Sequence, residues 1–164
     1  MLKTLVTTGL AAASVLTVSG PAAAAVPACG TLPAAVQGNP TVRAGQAGDA
    51  YLFHDAQGWK LRVTHPGTAR VVVGGTVTAT RDISHVKPAH LERGDAFSVS
   101  RDGHTLSFRM VNVGHLDGLD FTAECSHALR VNVLVNGHGA STQRVFLGAH
   151  RVHPTSVPFT IERH

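Results

Sequence analysis

The chain has 164 residues, 43% of them hydrophobic and 15% charged, which suits one domain with a core of its own. That size excludes a multidomain enzyme, and two Cys exclude a disulfide-dense miniprotein. The formal charge of +4, with eleven His counted neutral, is mild and dispersed, which argues against a nucleic-acid partner.

The N-terminus predicts export. Lys3 forms a short basic region, and residues 5–18 are apolar apart from small residues and threonines. Gly20-Pro21 then breaks the stretch, and Ala23-Ala24-Ala25 fits a small-x-small cleavage site before Val26. Residues 1–25 therefore read as a secretory signal peptide, because the apolar stretch falls short of the ~20 residues that a membrane span needs. No other stretch predicts a membrane span. Residues 26–48 are rich in Ala, Gly and Pro without a period and read as an N-terminal arm or loop.

Cys29 and Cys125 are the only cysteines, and an even count in an exported chain predicts one disulfide between them. Val26-Pro27-Ala28-Cys29 is also a loose lipoprotein box, but lipidation there would leave Cys125 as a lone thiol.

From Tyr51 onward the pattern has period two. Trp59, Leu61 and Val63 alternate with Lys60, Arg62 and Thr64, which predicts a strand with Trp59 inward. Tyr51 and Phe53 precede that strand and are expected to be partly exposed. Leu106, Phe108 and Met110 form a second such set, and Asp102-Gly103 marks a hairpin between it and Phe97-Ser98-Val99. Leu119, Phe121 and Ala123 form a third, and Leu129, Val131 and Val133 a fourth. Asp117-Gly118, Asn136-Gly137 and His153-Pro154 read as turns. No segment has a capped helical period. The fold class expected is all-β: an antiparallel β-sandwich, or partly open barrel, of about 8–10 strands spanning residues 49–164. Runs 104–112, 117–125 and 128–135 are consecutive and are expected to pair as neighbours, which would place Arg109, Glu124 and Arg130 on one face.

The densest polar stretch is Asn112 to Asp120. Asp117 and Asp120, helped by Asn112, would be the oxygen ligands of a Ca²⁺ site, although the spacing is not that of an EF-hand. The competing reading is a tight turn whose Asp side chains bond their own backbone. The His count raises Zn²⁺ or Cu²⁺, but no H-x-H, H-x-x-x-H or H-E-x-x-H spacing occurs. No G-x-S-x-G elbow marks a nucleophile, and the chain is expected not to be an enzyme. Arg93-Gly94-Asp95 fits an ordinary turn between strands.

The segments from Gly75-Thr-Val-Thr, through His115-Leu-Asp-Gly-Leu-Asp-Phe-Thr, to Pro154-Thr-Ser-Val-Pro-Phe resemble small exported actinobacterial proteins of uncharacterised function. The resemblance covers most of the mature chain and implies no catalytic residues. The expected role is a secreted, non-catalytic binding protein for a cell-envelope or extracellular polymer, or for another exported protein. Loops 112–120 and 136–141 are the expected binding edge, with His115, Arg109, Arg130 and His138 as candidate ligand contacts. Two alternatives are a protease-inhibitor-like module using the Pro-braced loop 153–158, and a His-rich metal-handling protein. Nothing in the pattern specifies an oligomer.

Overall fold

The computed structural model describes residues 29, 32, 36, 42–43, 45, 48–67, 71–112, 115–126, 128–140, 144–148, 150–151 and 159–160. The predicted signal peptide and the loop 153–158 lie outside them. The described residues hold strands and no α-helix. In chain order the strands are β1 (Ala50–Asp55), β2 (Gly58–Val63), β3 (Val71–Ala79), β4 (Ser84–Ala89), β5 (Ala96–Val99) and β6 (Thr105–Asn112). Then come β7 (Asp117–Thr122), β8 (Ala128–Val135), β9 (His138–Gly139), β10 (Val145–Leu147), β11 (His150–Arg151) and β12 (Phe159–Thr160).

These strands form two sheets that face one another as a β-sandwich. One sheet runs β11-β10-β1-β2-β7-β4; the other runs β12-β8-β3-β6-β5, with β9 paired to β8. Every pairing is antiparallel except β1 with β10. The predicted hairpin is present: β5 and β6 pair with Val99 opposite Leu106 around Asp102-Gly103. Asp102 closes it by accepting hydrogen bonds from the Ser100 hydroxyl and, at 3.0 Å, from the His104 N–H.

The period-two sets point inward as the alternation requires. Trp59, Leu61 and Val63 meet Leu106, Phe108, Met110, Leu119, Phe121, Leu129, Val131 and Val133 in one core. The arm contributes too, because Leu32 and Val36 are buried in that core. Cys29 and Cys125 are joined by a disulfide with Cα atoms 4.8 Å apart, which ties the arm to the crossover between β7 and β8. A disulfide of this kind belongs to an oxidising environment. Among the described residues no helix is long and apolar enough to cross a membrane.

Three expectations are corrected. The runs containing β6, β7 and β8 are not neighbours: β7 lies in the opposite sheet, and β6 and β8 are separated by β3. Asp117-Gly118 is not a turn but the start of β7, paired to Val63 and Arg62. Tyr51 and Phe53 are buried rather than partly exposed. Tyr51 stacks on Phe146 with ring centroids 4.7 Å apart, and the Arg62 guanidinium lies 6.0 Å from the Phe53 ring centre.

Candidate functional site

The topology sorts the loops to two ends. Turns 56–57, 80–83, 100–104 and 123–126 share the end that carries the disulfide. Residues 64–67, 90–95, 115–116 and 136–137 share the other. Of loops 112–120 and 136–141, chosen from sequence as one binding edge, residues 115–116 and 136–137 lie at this end, while 117–120 belong to β7 and 138–139 to β9.

The Ca²⁺ candidates do not converge. Asp117 has the parity of Leu119 and Phe121, so it points inward and is buried. Asp120 points outward from the same strand. Its carboxylate takes 2.8 Å contacts from Lys60 Nζ and Arg62 Nη1, and Lys87 stands opposite it on β4. Two carboxylates on opposite faces of one strand cannot share an ion. Asn112 ends β6 in the other sheet. Among the described residues no cluster of three or more His, Cys, Asp or Glu could hold a metal.

Charge follows from these placements. Burial pushes the Asp117 carboxyl up to about 6, with Asp95 and Glu92 adding to the rise and His115 opposing it. Burial would raise Asp120 as well, but hydrogen bonds from Lys60 and Arg62 outweigh it and hold that carboxyl below its ordinary value. Lys60 is the one buried Lys of the described residues, and Gln57 Oε1 accepts a further 3.2 Å bond from it. A second clamp went unread in the sequence. Buried Asp49 accepts from Arg144 Nη2 at 3.0 Å and lies 2.9 Å from His65 Nδ1, which joins the start of β1 to the end of β2 and to β10. Both clusters are ion pairs that hold strands together, and each leaves one buried polar atom without a well-aligned hydrogen bond, Asp120 Oδ1 in the first and Arg144 Nε in the second.

The catalytic-type spacings lack catalytic geometry. Ser84-His85-Val86-Lys87 spells S-x-x-K, a spacing that brings Ser and Lys together on a helical turn. Here it lies on β4, with a register shift between Ser84 and Lys87, and the Ser84 hydroxyl is bonded instead to Thr122 Oγ1 at 2.8 Å. Beside it, Asp82, His104, His85 and Glu124 line an open cleft of about 460 Å³ at the disulfide end. His104 and Asp82 are 3.6 Å apart, but Asp82 is 81% exposed, so water competes with any ligand there.

An apolar concavity lies on the outer face of the β8-β3-β6 sheet. It is a shallow groove of about 560 Å³. Gly74 and Gly75 of β3 form its floor, so bare peptide is exposed where neighbouring strands carry side chains. Arg109 and Leu134 pair with Gly74 from the two sides and form the walls. Val72 and Asn136 close one end through two reciprocal bonds: Asn136 N–H donates to Val72 O at 2.8 Å, and Val72 N–H donates to Asn136 Oδ1 at 2.9 Å. Asn136 and Gly137 both have positive φ (50° and 82°), as a two-residue hairpin turn between β8 and β9 demands.

This face collects two of the four residues chosen as ligand contacts. Arg109 stands at the groove, and its Nη1 donates to Gly94 O at 2.7 Å. Exposed Arg130 projects from the same face, four β3 residues away, opposite Thr78. Exposed His138 follows the Asn136-Gly137 turn on β9 but pairs with Val135, which has the inward parity of Val131 and Val133, so it stands on the opposite face of the sheet. His115 is exposed but precedes β7 in the other sheet, and Glu124 lies at the disulfide end, so neither joins the group. No Asp or Glu occupies an outward position on β3, β6 or β8. The sequence signal for the groove was Gly74-Gly75 inside an otherwise β-branched run, where glycine marks a close backbone approach.

The fold defines an antiparallel-rich β-sandwich pinned by one disulfide. No protein-family model, curated protein or solved structure matches the chain.

Proposed function

We propose that this chain is an exported, non-catalytic binding protein that holds an extended, acidic extracellular or cell-envelope polymer in the groove over Gly74-Gly75. One observation carries the reading: an apolar, side-chain-free floor walled by Arg109, on a sheet face with cationic and no anionic outward residues. A bare peptide floor admits a flat ring or an extended chain, and Arg109 supplies a planar fork for a carboxylate or phosphate. Arg130 extends the same sign of charge along the face. The signal peptide and the oxidised cysteine pair support export.

The test is calorimetric titration with a polyuronate and, as the neutral control, a dextran. The polyuronate should bind, weaken with added salt, and lose at least about tenfold in affinity in both Arg109→Glu and Leu134→Asp. Melting temperatures should stay close to wild type, because both side chains lie on the outer face. Equal binding of the neutral glucan, or full affinity in both variants, would refute the site.

A further inference from the structure

The two sheet edges on one flank of the sandwich differ sharply. β4 is guarded in three ways that keep an edge strand from pairing: Lys87, Pro88 and a register shift between Ser84 and Lys87. β5 has none of these. Its four residues, Ala96-Phe97-Ser98-Val99, are all exposed and uncharged, and Phe97 and Val99 are the two exposed large hydrophobics among the described residues.

The direction of the free backbone groups follows from the hairpin. Ser100 N–H donates to Thr105 O at 2.8 Å. By alternation Ser98 and Ala96 also turn their N–H and C=O toward β6, so Phe97 and Val99 turn theirs to the open edge.

We propose that β5 is a homodimerisation edge, on which a second copy of this chain adds its own β5 in antiparallel register. The two-fold axis passes through Ser98. Phe97 of each copy then faces Val99 of the other, and each of these two pairs exchanges two backbone hydrogen bonds. Aromatic–β-branched pairs of this kind are favourable across antiparallel strands. The same register sets the Asp95 end of one strand against the Arg101 end of the other, and Arg93 toward Asp102. Opposite charges therefore meet at both ends of an uncharged strand, which a shifted register would not achieve. The six-stranded sheet that ends in β5 continues into its twin. A four-residue edge buries little area, which predicts a dissociable dimer in the small-interface class below ~1,200 Å².

The experiment is sedimentation equilibrium of the purified protein over a concentration series, with two engineered readouts. Wild type should shift reversibly from monomer to dimer as concentration rises. Val99→Lys should remain monomeric with its melting temperature unchanged. Ser98→Cys should form a disulfide-linked dimer under mild oxidation, because a non-hydrogen-bonded antiparallel pair brings Cα atoms to ~4.5 Å. Ser107→Cys, one strand further in, should not. A wild type that stays monomeric throughout overturns the proposal. So does a dimer that survives Val99→Lys, or crosslinking of Ser107→Cys as fast as that of Ser98→Cys.

Discussion

Asp117→Asn should make the protein more stable at neutral pH and leave it nearly unchanged in acid. Asp117 starts β7 and points into the sandwich, where it is 1% exposed. Burial, with the like charges of Asp95 and Glu92, raises its carboxyl from 3.8 to about 6, against the pull of His115. The folded state therefore holds the proton more tightly than the unfolded chain does. The favourable contribution is complete below pH 3.8 and is lost as pH rises through about 6. A rise of about two units corresponds to ~3 kcal/mol, at ~1.4 kcal/mol per unit. Asparagine keeps the shape of the neutral acid and cannot ionise. The gap between variant and wild type should thus open across this window and reach ~2–3 kcal/mol above it, or roughly 5–10 °C in melting temperature. Thermal melts of both proteins from about pH 3.5 to about pH 7.5 measure the gap directly. A gap that is constant with pH, or a variant that melts lower at neutral pH, would refute the reasoning.

Other substitutions probe other parts of the fold. Asp120→Asn strips the ion-pair partner from Lys60, whose side chain is only 6% exposed, and from Arg62; because Asp120 is itself 31% exposed, the loss should be ~2 kcal/mol rather than the ~3–5 of a fully buried pair, read by urea denaturation. Gly75→Ala should cost more than ~3 kcal/mol or abolish folding, because the new Cβ would overlap the Asn132 carbonyl on β8; a soluble variant melting within a few degrees of wild type would contradict the register there. Replacing Cys29 and Cys125 together by Ala should lower stability by ~4–5 kcal/mol, since the bridge spans 96 residues; the same loss should follow reduction of wild type, measured by denaturant melts with and without reductant.

Much of the fold was legible because alternation records which face of a strand is buried. Trp59, Leu61, Val63, Leu106, Phe108, Leu119 and Leu129 all point inward as their spacing predicts. The same rule applied to Asp117, which shares the parity of Leu119 and Phe121 and so belongs inside, away from Asp120. Alternation does not record which sheet a strand joins. The chain changes sheet between β6 and β7 and again between β7 and β8, so three consecutive strands never become neighbours and Glu124 is separated from Arg109 and Arg130. Nor does period two reveal burial of an outward residue: Lys60 alternates outward, yet is enclosed by Gln57, Asp120 and Asp55. For the candidate site, Arg109 and Arg130 were legible as outward cationic residues and Gly74-Gly75 marked the groove floor, while its walls depend on β6 and β8 flanking Gly74, a long-range arrangement with no local signature.

The parallel pairing of β1 with β10 constrains how the chain assembles. Ala50 to Leu52 are partnered by Val145 to Leu147, almost a hundred residues later. The strands up to β9 can close the β1-β2 and β5-β6 hairpins, but β1 keeps one edge unsatisfied until β10 docks beside it. Sheets built on such distant pairings fold slowly, on the millisecond-to-second scale, since loop closure must precede the contacts that reward it. Assembly of this sheet therefore waits on β10: strands β2 to β9 are all in hand before β1 is sealed.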